Sequence, residues 1–149
     1  MSAHFRTPED YELFLYTLVE RFPAVRRSTI TFIRRGISLA RVAGELFFGC
    51  DIRLVVRERL IYDRLPMIVD EYGYEIWRSD EKLYWYDSQP HPNDLLLQST
   101  HPHHKHIPPD IKHHRIAAPG MSFTQPNLLT LIPEIEVLVQ QIKSREVED

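Results

Sequence analysis

Between Ser28 and Asp87, five stretches rich in β-branched and aromatic residues follow one another with almost nothing between them: Thr29–Arg34, Ser38–Phe47, Ile52–Ile61, Met67–Arg78 and Leu83–Asp87. Short runs of this kind, broken by turn residues, read as strands. Their connections are Arg35 with Gly36, then Gly49 to Asp51, Asp63 to Pro66, and Ser79 to Glu81. None is long enough for the crossover that parallel neighbours require. The chain is therefore committed to an antiparallel meander of about five strands.

Helices flank this region. Thr7, Pro8, Glu9 and Asp10 make a helix start: a hydroxyl cap, a proline that needs no partner in the first turn, and acids at the positive end of the dipole. Tyr11, Phe14, Leu15, Leu18 and Phe22 then recur at helical spacing, and Pro23 stops the run. After Ser122, the residues Leu128, Leu131, Ile132, Ile135, Leu138, Val139 and Ile142 specify a closing amphipathic helix. Pro133 predicts a kink or a start near Thr130. Between sheet and helix, residues 89–120 form a long His/Pro-rich loop. The expected architecture is α+β, one globular domain over residues 1–149, with a frayed acidic tail from Ser144 to Asp149.

Charge narrows the function classes. With 18 Lys+Arg against 21 Asp+Glu the formal charge is -3, unlike a protein that wraps nucleic acid by charge alone. Locally it is uneven: Arg21 to Arg64 holds ten arginines, no lysine and only Glu45, Asp51, Glu58 and Asp63. No stretch approaches the roughly 18 apolar residues of a membrane span, and Met1 to Phe22 show no positively charged start followed by an unbroken apolar stretch. A single cysteine, Cys50, allows no intramolecular disulfide and fits a reducing compartment. The expectation is a cytoplasmic protein without membrane attachment.

In the third strand Ile52, Leu54, Val56 and Leu60 alternate with Arg53, Arg57 and Arg59, so one face is core and the other cationic. Tyr72, Tyr74 and Ile76 share a face of the fourth strand, and Tyr84 and Tyr86 a face of the fifth. Arginines with Tyr72, Tyr74 and Tyr86 on one open face would hold single-stranded RNA by charge and stacking. The competing reading is a solvated face in which arginine stems cover tyrosines.

Seven of the eight histidines lie from His91 to His114. Asp87 ends a strand, His91 follows, and His101, His103, His104, Lys105 and His106 come ten residues later. Imidazoles exchange protons near neutrality, two of them can divide the acid and base roles of phosphodiester transesterification, and Lys105 can neutralise the phosphorane. If the run is extended, His101, His103 and Lys105 face one side and His104 and His106 the other. His101, His103, His104 and His106 equally suit Zn or another divalent transition metal. They also suit a structural cap of satisfied histidines, in which Asp87 only caps a turn. No glycine-rich phosphate loop and no GxSxG serine is present, and the neighbours of Cys50 suggest a turn.

Tyr72, Gly73 and Tyr74, then Trp85, Tyr86 and Asp87 with Pro90 and His91, then Pro102, His103, His104, Lys105 and His106 together resemble the TumE-like toxin family of toxin–antitoxin modules. In that family an aromatic pair precedes an Arg-Tyr-Asp-Asn-x-Pro-His stretch and a Pro-His-His-Lys-His stretch. The resemblance spans about residues 36 to 110, with Glu58, at the end of a strand, matching an acidic position. Trp85 stands where the family usually has arginine, and Gln89 where it has asparagine. The resemblance implies a small cytoplasmic toxin acting as a ribonuclease, neutralised by an antitoxin that usually carries a helix-turn-helix DNA-binding domain.

The leading expectation is a metal-independent endoribonuclease without cofactor. His91, His104 or His106 would serve as base, another as acid, and Lys105 would stabilise the phosphorane, beside Asp87. Arg53, Arg57 and Arg59 would hold the RNA backbone. A Zn-, Mn- or Ni-dependent phosphoesterase and a non-enzymatic protein- or RNA-binding module are the alternatives, and homo-oligomers are compatible with the sequence. His91 is expected to meet the Pro102–His106 run at one end of the sheet.

Overall fold

A computed structural model of the protein describes residues 3–88, 103–108, 115–118 and 120–148. A 3-10 turn at Ala3–Phe5 leads into α1 (Pro8–Tyr16) and α2 (Leu18–Arg21). The strands are β1 (Arg27–Ser28), β2 (Thr31–Arg35), β3 (Leu39–Phe47), β4 (Ile52–Ile61), β5 (Ile68–Arg78), β6 (Glu81–Asp87), β7 (His104–His106) and β8 (Arg115–Ala117). The last helix is α3 (Leu128–Glu148). The architecture is α+β, as the periodicities predict.

Among the described residues the eight strands form one antiparallel sheet in the order β1-β3-β4-β5-β6-β7-β8, with β2 also on β3. The first expected strand, Thr29–Arg34, appears as β2 on Leu39 to Ala43, and a separate short strand before it, β1, pairs with Leu46 and Phe47. Gly44 sits between them at a φ of +146°, and a Cβ there would lie 2.6 Å from Ile30 Cα. Glycine alone fits where the chain crosses so close. Two further strands, β7 and β8, continue the sheet beyond Asp87. A three-residue His-Lys-His run carries no apolar alternation from which a strand would be read.

Thr7 caps α1 through its Oγ1, which accepts from Asp10 N at 3.1 Å. The helix breaks at Thr17 instead of running to Phe22, and the Thr17 hydroxyl donates back to Leu13 O at 2.7 Å. Such back-bonding competes with the helical ladder. α3 begins at Leu128 with Pro133 inside it, and the helix continues to Glu148, where Arg78 grips Glu146 at 2.8 Å.

Both long helices lie against one face of the sheet. Tyr11, Phe14 and Leu15 of α1 and Leu131, Ile132, Ile135, Val139 and Ile142 of α3 join Leu54, Val56, Leu60, Tyr74 and Ile76 in a single core. Each such side chain contributes roughly 1.5–3 kcal/mol on burial. The opposite face carries no helix among the described residues, and there the chemistry-bearing side chains gather.

Candidate functional site on the open face

Directly paired residues of an antiparallel sheet share a face, so the register decides which side chains meet. Arg57, Gly73, Asp87 and His104 form one line across β4, β5, β6 and β7, and Val55, Glu75, Trp85 and His106 form the next. Both lie on the open face. The intervening line, Val56, Tyr74, Tyr86 and Lys105, faces the helices.

The centre of the open face is a carboxylate–imidazole pair. His106 Nε2 and Asp87 Oδ2 are 2.8 Å apart. Asp87 Oδ2 also accepts from Trp85 Nε1 at 3.2 Å, and the Trp85 ring lies 4.3 Å from that of His106. His106 is 2% exposed and His104 0%. Burial opposes ionisation of Asp87, but the His106 hydrogen bond and charge, the Trp85 N–H and the His104 charge outweigh it. The carboxyl is held below its ordinary value, so it stays an anion beside the imidazoles.

Trp85 is itself braced. Lys82 Nζ lies 3.7 Å from its ring centroid and 5.5 Å from that of Trp77, while Arg53 covers Trp77 at 4.9 Å. Glu75 accepts from Trp77 Nε1 at 3.0 Å and pairs with Lys82 at 3.4 Å. Charge alternates with aromatic rings along this row, which fixes the Trp85 ring and through it His106. Trp77, Lys82 and Glu75 were not singled out from the sequence. The detectable signal is their alternation with Tyr74, Ile76 and Tyr84, which the bulge between Ile76 and Trp77 interrupts.

The arginines of β4 lie on the open face, but not as a uniformly cationic patch. Arg53 pairs with Glu45 and Arg59 with Asp70, both at 3.5 Å. Asp70 is available because a bulge at Arg59 and Leu60 shifts the register of β5. Arg57 is exposed and makes no ion pair among the described residues. With Glu71, Glu75, Lys82, Trp85 and Asp87 it lines a cavity of about 150 Å³.

The tyrosines depart from expectation. Tyr72, Tyr74 and Tyr86 are 3%, 0% and 5% exposed and turned toward the helices, so none offers a ring to a base from the open face. The register is the cause: Tyr72 pairs with Glu58 and Tyr74 with Val56, both core positions. Tyr84 and Tyr86 donate to Glu134 of α3 at 2.9 and 2.8 Å. Lys105 stands above these two rings, at 4.6 and 5.3 Å, across the sheet from His104 and His106. It does not join their site. His103 faces the helices too, stacked on Tyr72, with its Nδ1 2.6 Å from the Tyr72 hydroxyl.

Glu58 lies within β4 and not at its end, fully turned into the core. The hydroxyls of Tyr11 and Tyr74 donate to its two oxygens, and Asn127 Nδ2 donates to Tyr74 Oη at 3.0 Å. Burial pushes the Glu58 carboxyl above its ordinary value, with the two tyrosines pulling it partly back. This network ties α1, the sheet and the start of α3 together.

His91 and His101 lie outside the described residues, so the expected meeting of His91 with the Pro102–His106 run lies there too. Among the described residues no three His, Cys, Asp or Glu side chains converge as a metal site. The register separates His103 from His104 and His106. A larger cavity of about 940 Å³ lies between α3 and the turn at Phe48 and Gly49, away from the carboxylate–imidazole pair.

No helix among the described residues is long and apolar enough to cross a membrane. No curated protein and no solved structure matches the chain. A family profile described as Toxin TumE matches residues 15–139, a span that runs from α1 to α3 and takes in the whole open face. The chain thus belongs to the TumE toxin family, whose members are the toxins of toxin–antitoxin modules, and its protein partner is an antitoxin.

Proposed function

We propose that the toxin is a metal-independent endoribonuclease whose reaction centre is the open face around Asp87, His104 and His106. One observation carries this reading: the Asp87–His106 hydrogen bond of 2.8 Å, with Trp85 bracing both residues. A carboxylate that holds one imidazole nitrogen fixes the ring's tautomer and its orientation. His104 stands directly opposite Asp87 in the ladder and supplies a second proton carrier on the same face. His91 remains a candidate for that role.

In this reading a phosphodiester enters the cavity bounded by Arg57, Trp85 and Asp87. The 2′-oxygen forms a bond to phosphorus as the bond to the 5′-oxygen breaks. One imidazole takes the 2′-hydroxyl proton and the other gives a proton to the departing 5′-oxygen, leaving a 2′,3′-cyclic phosphate and a 5′-hydroxyl. Two groups that exchange roles in this way contribute about 10²–10⁴-fold each and give a bell-shaped pH dependence. RNA is the substrate because DNA lacks the nucleophile. The partner in this reading is an antitoxin with a helix-turn-helix domain.

Near-complete burial of His104 and His106 favours a second reading. The pair would then fasten β7 to β6, and the open face would bind a protein or RNA without cutting it. Incubating the protein with RNA and with DNA of the same sequence, with and without EDTA, separates the two. The nuclease reading expects cleavage of RNA alone, undiminished by EDTA, with cyclic phosphate ends. Intact RNA in every condition supports the binding module, and cleavage restored only by Zn²⁺ or Mn²⁺ supports a phosphoesterase.

A further inference from the structure

Gly73 stands between Arg57 and Asp87 in the cross-strand line. A Cβ at Gly73 would lie 2.4 Å from Arg57 Nη2 and 3.0 Å from Cζ. The Nη2 end of the guanidinium therefore reaches over the backbone of β5, into space that any side chain would fill. Its neighbours Arg53 and Arg59 are each engaged by an acid, whereas Arg57 makes no ion pair or hydrogen bond among the described residues. Arg57 is held over a glycine floor at the rim of a cavity that Lys82, Trp85 and the carboxylates of Glu71, Glu75 and Asp87 also line; with Lys82 engaged by Glu75, the Arg57 guanidinium is the cation left among the described residues to meet a tetrahedral oxyanion.

We infer that Gly73 and Arg57 form a phosphate seat, and that the seat takes the scissile phosphodiester at the reaction centre. This second half rests on the ribonuclease reading; the anion site itself does not. The bidentate fork of Arg57 meets two non-bridging oxygens, and the charge that develops on them during attack is stabilised there. Arg57 takes the part that sequence reasoning gave to Lys105. Gly73 is a positioning residue that acts only through Arg57.

Titration with inorganic phosphate, followed by the fluorescence of Trp85 and Trp77, tests the seat without requiring cleavage. The wild type is expected to respond saturably, Arg57→Ala and Gly73→Ala to lose the response, and Lys105→Ala, a charge removed across the sheet, to keep it. Since Gly73→Ala strains the fold only where the guanidinium lies, Gly73→Ala in the Arg57→Ala background has room to fold. It is expected to match Arg57→Ala in RNA cleavage, because two residues acting as one unit are non-additive. Arg57→Ala is expected to slow cleavage about a hundredfold, the size of losing one oxyanion donor. A phosphate response that survives Arg57→Ala, or additive losses in the double variant, overturns the seat. A response that depends on Arg57 in a protein that cuts no RNA keeps the seat and removes the nuclease.

Discussion

Trp85 and His106 face each other across the β6–β7 ladder, their ring centroids 4.3 Å apart and their planes tilted by 32°. The same indole donates to the Asp87 oxygen that His106 engages, so one side chain sets the position of both partners. Trp85→Phe keeps a ring beside His106 and removes the N–H together with part of the indole surface. One hydrogen bond is worth about 1 kcal/mol, so cleavage is expected to fall about fivefold. Because that N–H helps to hold the Asp87 carboxyl down, the Asp87 titration is expected to move upward in the variant. An Asp87 titration that stays in place would show that Trp85 only packs.

Asp87 also leaves a mark on stability. Its folded value lies below the ordinary 3.8, so the unfolded chain binds the proton first as pH falls. The stabilisation is fully present above the ordinary value and is lost as pH drops through the lowered folded value. Asp87→Asn removes this dependence. The gap in urea midpoint between wild type and variant is therefore expected to be widest near neutrality and to close in acid. A constant gap would mean that Asp87 gains nothing from His106 as an anion.

The sheet was legible because period-two alternation and short connections leave few choices. β4 appears at Ile52–Ile61, the bounds its pattern predicts. The face of a neighbouring strand was harder, since it depends on register. Tyr72 and Tyr74 alternate as cleanly as Arg57 and Arg59, but nothing local states that Tyr72 falls opposite Glu58, a charged residue at a core position. Glu58 broke the apolar run of β4 and looked like a strand end. Its two tyrosine partners come from elements 47 and 16 residues away, a separation that periodicity does not reach. Asp87, His104 and His106 were found by residue type, and the pairing that brings them together came from β7, too short to announce itself.

Lys105 separates composition from placement. It follows His104 in the chain, yet its ammonium lies over Tyr84 and Tyr86 on the helix side. Lys105→Ala is expected to leave the cleavage rate unchanged and to lower stability by at most about 1 kcal/mol, the size of a partly exposed cation–π contact. Parallel rate and urea-denaturation measurements check this, and a large drop in rate with an unchanged midpoint would return Lys105 to the reaction centre.

Glu58 makes the opposite case, a charged residue whose work is structural. Two hydroxyls donate to its carboxyl inside the core, so Glu58→Ala strands both and is expected to cost about 2–6 kcal/mol, at 1–3 for each unsatisfied group. Glu58→Gln keeps the volume and one acceptor, and is expected to fold. Burial holds the folded carboxyl above the ordinary 4.5, so between the two values the folded state keeps a proton that the unfolded chain has released. Stability must then fall as pH rises through that window, and the slope disappears in Glu58→Gln. RNA cleavage by folded Glu58→Gln is expected to match the wild type, because the carboxyl faces α1 and α3, across the sheet from His106. Urea midpoints measured from pH 4.5 upward, beside cleavage rates, test both halves. A wild-type slope that persists in the variant assigns it to another group, and lost cleavage in a stable variant would carry Glu58 into the chemistry.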